Sequence, residues 1–328
     1  MFSSISGQLS NMFRRSSFRP EDNNVNVNTP INFIRSTESC KGEGVPVYGG
    51  KDFYLSPREA QDVDNYLRIL EKKKQMEPDF LRGRAVEPRM RELLVDWVLN
   101  VCAVQIKCSQ EAWTLTINLT DRCCVLMDVN KSNYQLIAVT CLYIALKYEE
   151  VVVPHIKDIA YFGGRQCTSE NVLATELQVL KALKFNLHFA YPCHFLRKLR
   201  AFAQLPSDDT KKVYALAQLF ADCGMIVYHT SQWLPSELAV GSYSLSCFVL
   251  GVTFNDYLFK ASNKTAAEIE KLAVGVAAAV MRVRKSGQCK SVAQKYRNSS
   301  IIHNYNNIQQ TLIKFMEKSK PALSSTIC

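Results

Sequence analysis

The stretch 134–150, YQLIAVTCLYIALKYEE, limits the possible folds more than any other part of the chain. Between Leu136 and Leu146 every residue except Thr140 is apolar. No polar stripe recurs at helical spacing, so a helix here is apolar on every side and must lie buried among others. The run is too short for a membrane span, and Lys147, Glu149 and Glu150 follow it at once. A buried rod has to be surrounded, so the flanking segments are predicted to be helices wrapped around it. Its charged end, Lys147-Tyr148-Glu149-Glu150, is the candidate recognition edge.

The flanks fit that demand. After Pro57, the residues Val63, Leu67 and Leu70 keep helical spacing to about Lys74. A break with two prolines and a glycine follows, EPDFLRGRAVEP. Pro88 opens the next helix where a missing N–H costs nothing. Between Arg89 and Lys107 the polar residues Arg89, Glu92, Asp96, Asn100 and Lys107 fall on one line. At about 100° per residue, Arg91 lies nearly opposite that line. A guanidinium on the buried side needs a fixed acid. Met90, Leu93 and Trp97 lie beside the polar edge, with Asn100 on the rim, which predicts apolar groups only half covered. Ser109 is placed to cap a helix to about Met127. Trp113, Ile117, Thr120 and Cys124 form its inner face, and Asp121 sits at the border. Pro154 ends the hub run and leads into a short helix over 156–161, before a turn at Gly163-Gly164. Residues 169–184 form an amphipathic helix whose apolar arc holds Val172, Leu173, Leu177, Val179, Leu180 and Leu183. Glu176 projects into the middle of that arc.

After Phe185-Asn186-Leu187 the pattern begins again. Pro192 opens a helix with Phe195, Leu196, Leu199 and Phe202. Ser207, with Asp208 and Asp209, is expected to cap a helix to about His229. Pro235 opens a second strongly apolar helix through 238–250, the counterpart of the hub. Further helices are expected over 265–285, 288–296 and 308–316. No stretch alternates with period two. Residues 1 to about 50 are rich in Ser, Asn and Gly and cannot build a core, so they are expected to be disordered. The reading is an all-α protein of two helical halves joined near residue 188.

Composition excludes several classes of function. The twelve cysteines fall mostly in apolar helical runs (Cys102, Cys141, Cys223, Cys247), and no CxxC spacing suggests zinc. The amino terminus lacks an apolar core of signal-peptide length, so an intracellular protein with reduced thiols is expected. No GxGxxG, GxxxxGK[ST] or HExxH occurs, and His155, His188, His194, His229 and His303 are scattered. Neither catalytic residues, nor a metal, nor a cofactor is expected. The net charge is +10, with nine basic residues and one acid in 282–328. That end reads as a solvated face or as a surface for an anionic partner.

Four segments, MRELLVDW (90–97), LYIALKYEE (142–150), LATELQVLKALKFNL (173–187) and PCHFLRK (192–198), resemble a mitotic cyclin of the A/B group. The HFLR turn leans toward the B type. The resemblance runs from about residue 57 to 300 and implies two tandem five-helix cyclin boxes. The first, with its preceding helix, would occupy 56–187 and the second 188–320, after a disordered leader over 1–55. It implies that Lys147 and Glu176 hold the backbone of a kinase's mobile helix, that Tyr148 packs on the same helix, and that Glu149 and Glu150 line the border. It makes Asp121 the acid for Arg91, as a structural ion pair, and Leu136 the hub leucine. Met90, Leu93, Leu94 and Trp97, with Lys131 and Gln135, match the family's docking patch for Arg-x-Leu-type motifs. Lys131 stands where an arginine is usual and Asn100 where an acid or Gln is common. No RxxL string precedes residue 60 and KEN occurs nowhere, so no destruction signal is legible.

The function implied is that of a regulatory, activating subunit of a cyclin-dependent kinase, heterodimeric with it. It would act at G2/M in nucleus and cytoplasm and recruit substrates or inhibitors with Arg-x-Leu-type motifs. Neither nucleic acid nor a membrane is an expected partner. The alternative is a cyclin-box protein of transcription that binds DNA or a polymerase through the basic end.

Overall fold

The computed structural model describes residues 45–46, 54–55, 57–203, 205–287, 289–301, 305 and 307–319. The leader expected to be disordered over 1–55 lies outside the described residues, except for one short antiparallel pair. In it β1 (Val45–Pro46) faces β2 (Tyr54–Leu55), with Val45 opposite Leu55.

The rest of the described secondary structure is helical. Helix α1 (Pro57–Lys74) precedes a first set of five: α2 (Pro88–Asn100), α3 (Gln110–Leu126), α4 (Tyr134–Glu149), α5 (Ile156–Phe162) and α6 (Ser169–Ala182). The second half comprises α7 (Pro192–Phe202), α8 (Ser207–Ile226), the single turn α9 (Tyr228–Ser231), α10 (Pro235–Leu250), α11 (Asp256–Ser262) and α12 (Ala266–Lys285). The short α13 (Ser291–Lys295) and α14 (Gln309–Lys318) follow. Among the described residues, no helix is long and apolar enough to cross a membrane.

Each half is built on an apolar rod. In α4, Ala138, Val139, Cys141, Leu142, Ala145 and Leu146 are fully buried. Its one polar intruder, Thr140, donates to the Leu136 carbonyl at 2.8 Å and so hides its hydroxyl. The counterpart α10 hides Ser246 the same way, against Ser242. Gly241 lets α10 and α12 touch, since a Cβ there would sit 2.9 Å from the Leu272 carbonyl oxygen.

Local details depart from the sequence reading. The helix read through Lys107 ends at Asn100. The chain continues as a wider π-helical turn, Val101–Ile106, which Lys107 closes in the left-handed region at φ 60°. The β-branched Val101, Val104 and Ile106 crowd a regular ladder at that point. Ser207 does not cap α8. It is already the first helical residue, and Pro206 takes the extended position before it without a side-chain cap. The turn α9 and helix α11 were not anticipated.

The polar line of α2 faces the second half of the chain. Glu92 receives two bonds from Arg282, at 3.0 Å each, and one from the Tyr228 N–H at 3.3 Å. Asp96 accepts from the Ser291 N–H at 3.1 Å and its hydroxyl at 2.8 Å. The Asn100 amide donates to Gln294. Arg91 reaches Asp121 through a two-pronged bond, 2.8 and 2.7 Å, and donates to the Met225 and Ile226 carbonyls at 3.1 and 3.2 Å. Arg91 thus joins α2, α3 and the end of α8.

Two outcomes follow from this seam. Arg91→Met leaves Asp121 buried and unpaired, so it should cost about 3–5 kcal/mol in urea unfolding, whereas Arg91→Met with Asp121→Leu should recover much of that loss. Burial raises the Asp96 carboxyl to about 6, against the opposing pull of the Ser291 bonds. Between about pH 4 and 6 the folded chain therefore binds more protons at Asp96 than the unfolded chain. This group's contribution falls by about 2–3 kcal/mol as pH rises through that window. Unfolding at a series of pH values should show that slope in the wild type and lose it in Asp96→Asn.

Candidate functional site

The C-terminal end of α4 and the middle of α6 lie side by side. Lys147, in the last turn of α4, donates from Nζ to Glu176 Oε1 on α6. Its ammonium also lies 4.5 Å from the Tyr143 ring centre. The Lys147 side chain is 39% exposed and that of Glu176 11%. The lysine therefore reaches solvent from a seat that the glutamate fixes.

The two helices that carry the pair, and the turns that follow them, also leave apolar side chains uncovered. Tyr148, Val151, Val152 and Phe185 are exposed, as are Leu173 and Leu177 on α6. The sequence reading placed both leucines in the apolar arc of that helix. In the structure Val172, Val179 and Leu183 enter the core, while Leu173 and Leu177 stand beside Glu176, 52% and 51% exposed. An arc wider than the core can cover leaves its edge outside. Phe185 was not singled out in the sequence. It and Lys184 adopt left-handed backbone, φ 54° and 52°, and the Phe185 N–H closes the helix on the Leu180 carbonyl at 2.9 Å. A bulky residue in that region costs about 1–3 kcal/mol, a strain that concentrates at binding surfaces. Successive non-glycine residues directly after a helix were the available signal.

Glu149 and Glu150 turn toward their own chain. Glu149 accepts from the Tyr191 hydroxyl, and burial raises its carboxyl above the usual range. Glu150 accepts from the Ser109 N–H at 2.6 Å. They anchor the end of α4 to the starts of α7 and α3. Arg91 and Asp121 are buried and reach no surface.

The second predicted patch is shallower than expected. Met90, Leu93, Leu94 and Gln135 are half-buried, but Trp97 is 8% exposed and joins the core. The expectation of a half-covered Trp97 is corrected here, because the ring belongs to the large apolar core that also takes in Val95, Val98 and Val292. Lys131 lies 3.4 Å from Glu87 in an exposed pair of little energetic weight. The Gln135 amide nitrogen has no hydrogen-bond partner among the described residues.

Glu111, Cys193 and His194 also meet, with ligating atoms within 4.8 Å of one another. Arg197 donates to Glu111 there, and burial lowers His194 to about 4. The cluster thus holds a neutral imidazole beside an ion pair and ties α3 to α7.

Comparison with known proteins agrees with this architecture. The family descriptions "Cyclin, N-terminal domain" and "Cyclin, C-terminal domain" match residues 62–188 and 190–311. G2/mitotic-specific cyclin-B1 of Oryzias latipes is 30% identical over 245 residues, 73% of this chain and 58% of that protein. G2/mitotic-specific cyclin-B2 of Bos taurus is 30% identical over 266 residues, 80% of this chain and 65% of that protein. This chain thus spans less than two thirds of either relative's length. A viral cyclin from herpesvirus saimiri shares the fold, with a TM-score of 0.58 at 17% identity over 67% of this chain and 97% of that one. Two consecutive cyclin domains on paired helical sets, and mitotic B-type relatives across most of the sequence, make this chain a member of the cyclin family.

Proposed function

We propose that this chain is the activating, non-catalytic subunit of a cyclin-dependent serine/threonine kinase and acts at G2/M. One observation carries the reading. The Lys147 ammonium reaches the surface from a seat fixed by Glu176, and the same two helices and the turn after α6 leave Tyr148, Leu173, Leu177 and Phe185 uncovered. A fixed charge pair on helices with uncovered apolar side chains suits a partner helix that buries apolar contacts and offers backbone groups to the charges. The similarity to mitotic cyclins supports a cyclin-dependent kinase as that partner, in a heterodimer.

In this mechanism the kinase brings every phosphoryl-transfer group. The chain binds the active arrangement of the kinase better than the inactive one and so shifts the population. Lys147 and Glu176 hold the backbone of the mobile kinase helix, and Tyr148, Leu173, Leu177 and Phe185 cover its apolar face. Glu149 and Glu150 act from behind by anchoring the end of α4. The same proposal takes 56–187 as the first box with its leading helix and 188–320 as the second, and it places the protein in nucleus and cytoplasm. The half-buried Met90, Leu93 and Leu94, with Gln135 and Lys131, would dock substrates or inhibitors carrying Arg-x-Leu-type motifs. Trp97 supports that patch from beneath.

Lys147→Ala and Glu176→Ala should each fold and capture kinase about tenfold less well or worse in a pull-down. Wild-type capture by both would remove the assignment. For the docking patch, Leu93→Ala is the informative change, because Trp97 is part of the core. It should lower phosphorylation of a motif-bearing substrate about three- to tenfold and leave a motif-free peptide unchanged. An equal loss on both substrates would mean a folding defect.

A further inference from the structure

The connection between α2 and α3 carries two cysteines that the proposed function leaves unused. Cys102 lies in the π-helical turn, 1% exposed, and Cys108 follows the turn, half-buried where the other described free cysteines are buried. The Cys108 N–H donates to the Cys102 carbonyl at 3.0 Å, and left-handed Lys107 bends the chain to make that bond. With that bond at 3.0 Å the two Cα atoms lie no more than about 7 Å apart, within the reach of a disulfide. Burial, and after it the neighbouring Cys108, raise the Cys102 thiol well above its usual range, so Cys108 is the thiol that meets an oxidant first.

The other thiols are less suited. Cys123 and Cys141 are 3.9 Å apart at sulfur, but both are 0% exposed between α3 and α4. An oxidant has no route to them, and bonding at about 2.05 Å would drag two packed helices together. Every other described free cysteine is buried, so an oxidant has no half-open thiol to meet first except Cys108.

We propose that Cys102 and Cys108 are a modification site, forming a reversible disulfide when a peroxide reaches the chain. Cys108, the more exposed, attacks one peroxide oxygen as thiolate. The O–O bond breaks, the departing hydroxide takes a proton to become water, and Cys108 becomes a sulfenic acid. The Cys102 sulfur then attacks the Cys108 sulfur. The S–O bond breaks, the proton of Cys102 leaves with hydroxide as a second water, and the S–S bond closes. The two sulfurs together lose two electrons and the peroxide gains them. A dithiol reductant reverses the reaction by exchange. In a reducing compartment such a bond is transient. While present, it staples the π-helical turn next to Ser109, whose hydroxyl caps α3 and whose N–H is held by Glu150.

The test uses the full chain, treated with hydrogen peroxide, blocked at its remaining thiols and digested with trypsin. Cleavage after Lys107 leaves the peptides 92–107 and 108–122 joined only through this bond. The joined pair should be the main disulfide product and should disappear with dithiothreitol. Cys108→Ser, checked for folding by circular dichroism, should reduce Cys102 oxidation at least tenfold. Cys102→Ser should leave Cys108 as a sulfenic acid that dimedone traps. The proposal is overturned if Cys108 is recovered as sulfinic acid with Cys102 still a thiol, if Cys108 is linked to another cysteine, or if both stay reduced. None of these results bears on kinase capture, so the proposed function stands or falls separately.

Discussion

A guanidinium sealed away from water sets the terms for the rest of the molecule. Arg91 is 1% exposed, and its donors go to Asp121 and to the Met225 and Ile226 carbonyls. A buried charge is tolerated only when its attraction to a partner and its hydrogen bonds together offset lost hydration. Meeting that demand fixes α2 against α3 and brings the end of α8 to both. Glu92, Asp96 and Asn100 then extend the contact along α2 toward α12 and α13. A helix that would have one wet face in a lone domain here has polar bonds to both halves.

With the halves held, the ends of the buried rods become the places where chemistry can emerge. Helix α4 is apolar almost throughout and offers charge only in its last turn. There Lys147 meets Glu176 of the neighbouring α6. The carboxylate is nearly buried and the ammonium is not, so one charge serves as a seat for the other. Leucines displaced from the core and a phenylalanine in strained backbone complete a surface whose apolar edge water wets poorly. The neighbouring Glu149 and Glu150 instead tie the end of α4 to α7 and α3.

Much of this is legible in the sequence. Periodicity marked the two apolar rods and most helix starts, because Pro at a first helical position and a Ser or Thr cap leave local signatures. Ser109 caps its helix as read, and Thr168 and Thr265, which were not read as caps, cap theirs. The need of Arg91 for an acid followed from its place on the wheel, and resemblance to the cyclins named Asp121. Resemblance, not pattern, singled out Lys147 and Glu176. The π-helical turn and the proline-led start of α8 escaped, since both depend on how one bond competes with its neighbours.

What the sequence determined by itself is the class of fold: all helical, two halves, each around an apolar rod with its charge at the ends. Those properties depend on residues three and four apart, which a linear reading can pair. What only the tertiary structure decided is who meets whom over long spans. Glu92 and Arg282 are separated by 190 positions, and Asp96 and Ser291 by 195. A wheel can place a side chain on a face but cannot say what covers that face. So the burial of Trp97, the inward turn of the α2 polar line and the exposure of Leu173 and Leu177 had to come from the packed molecule.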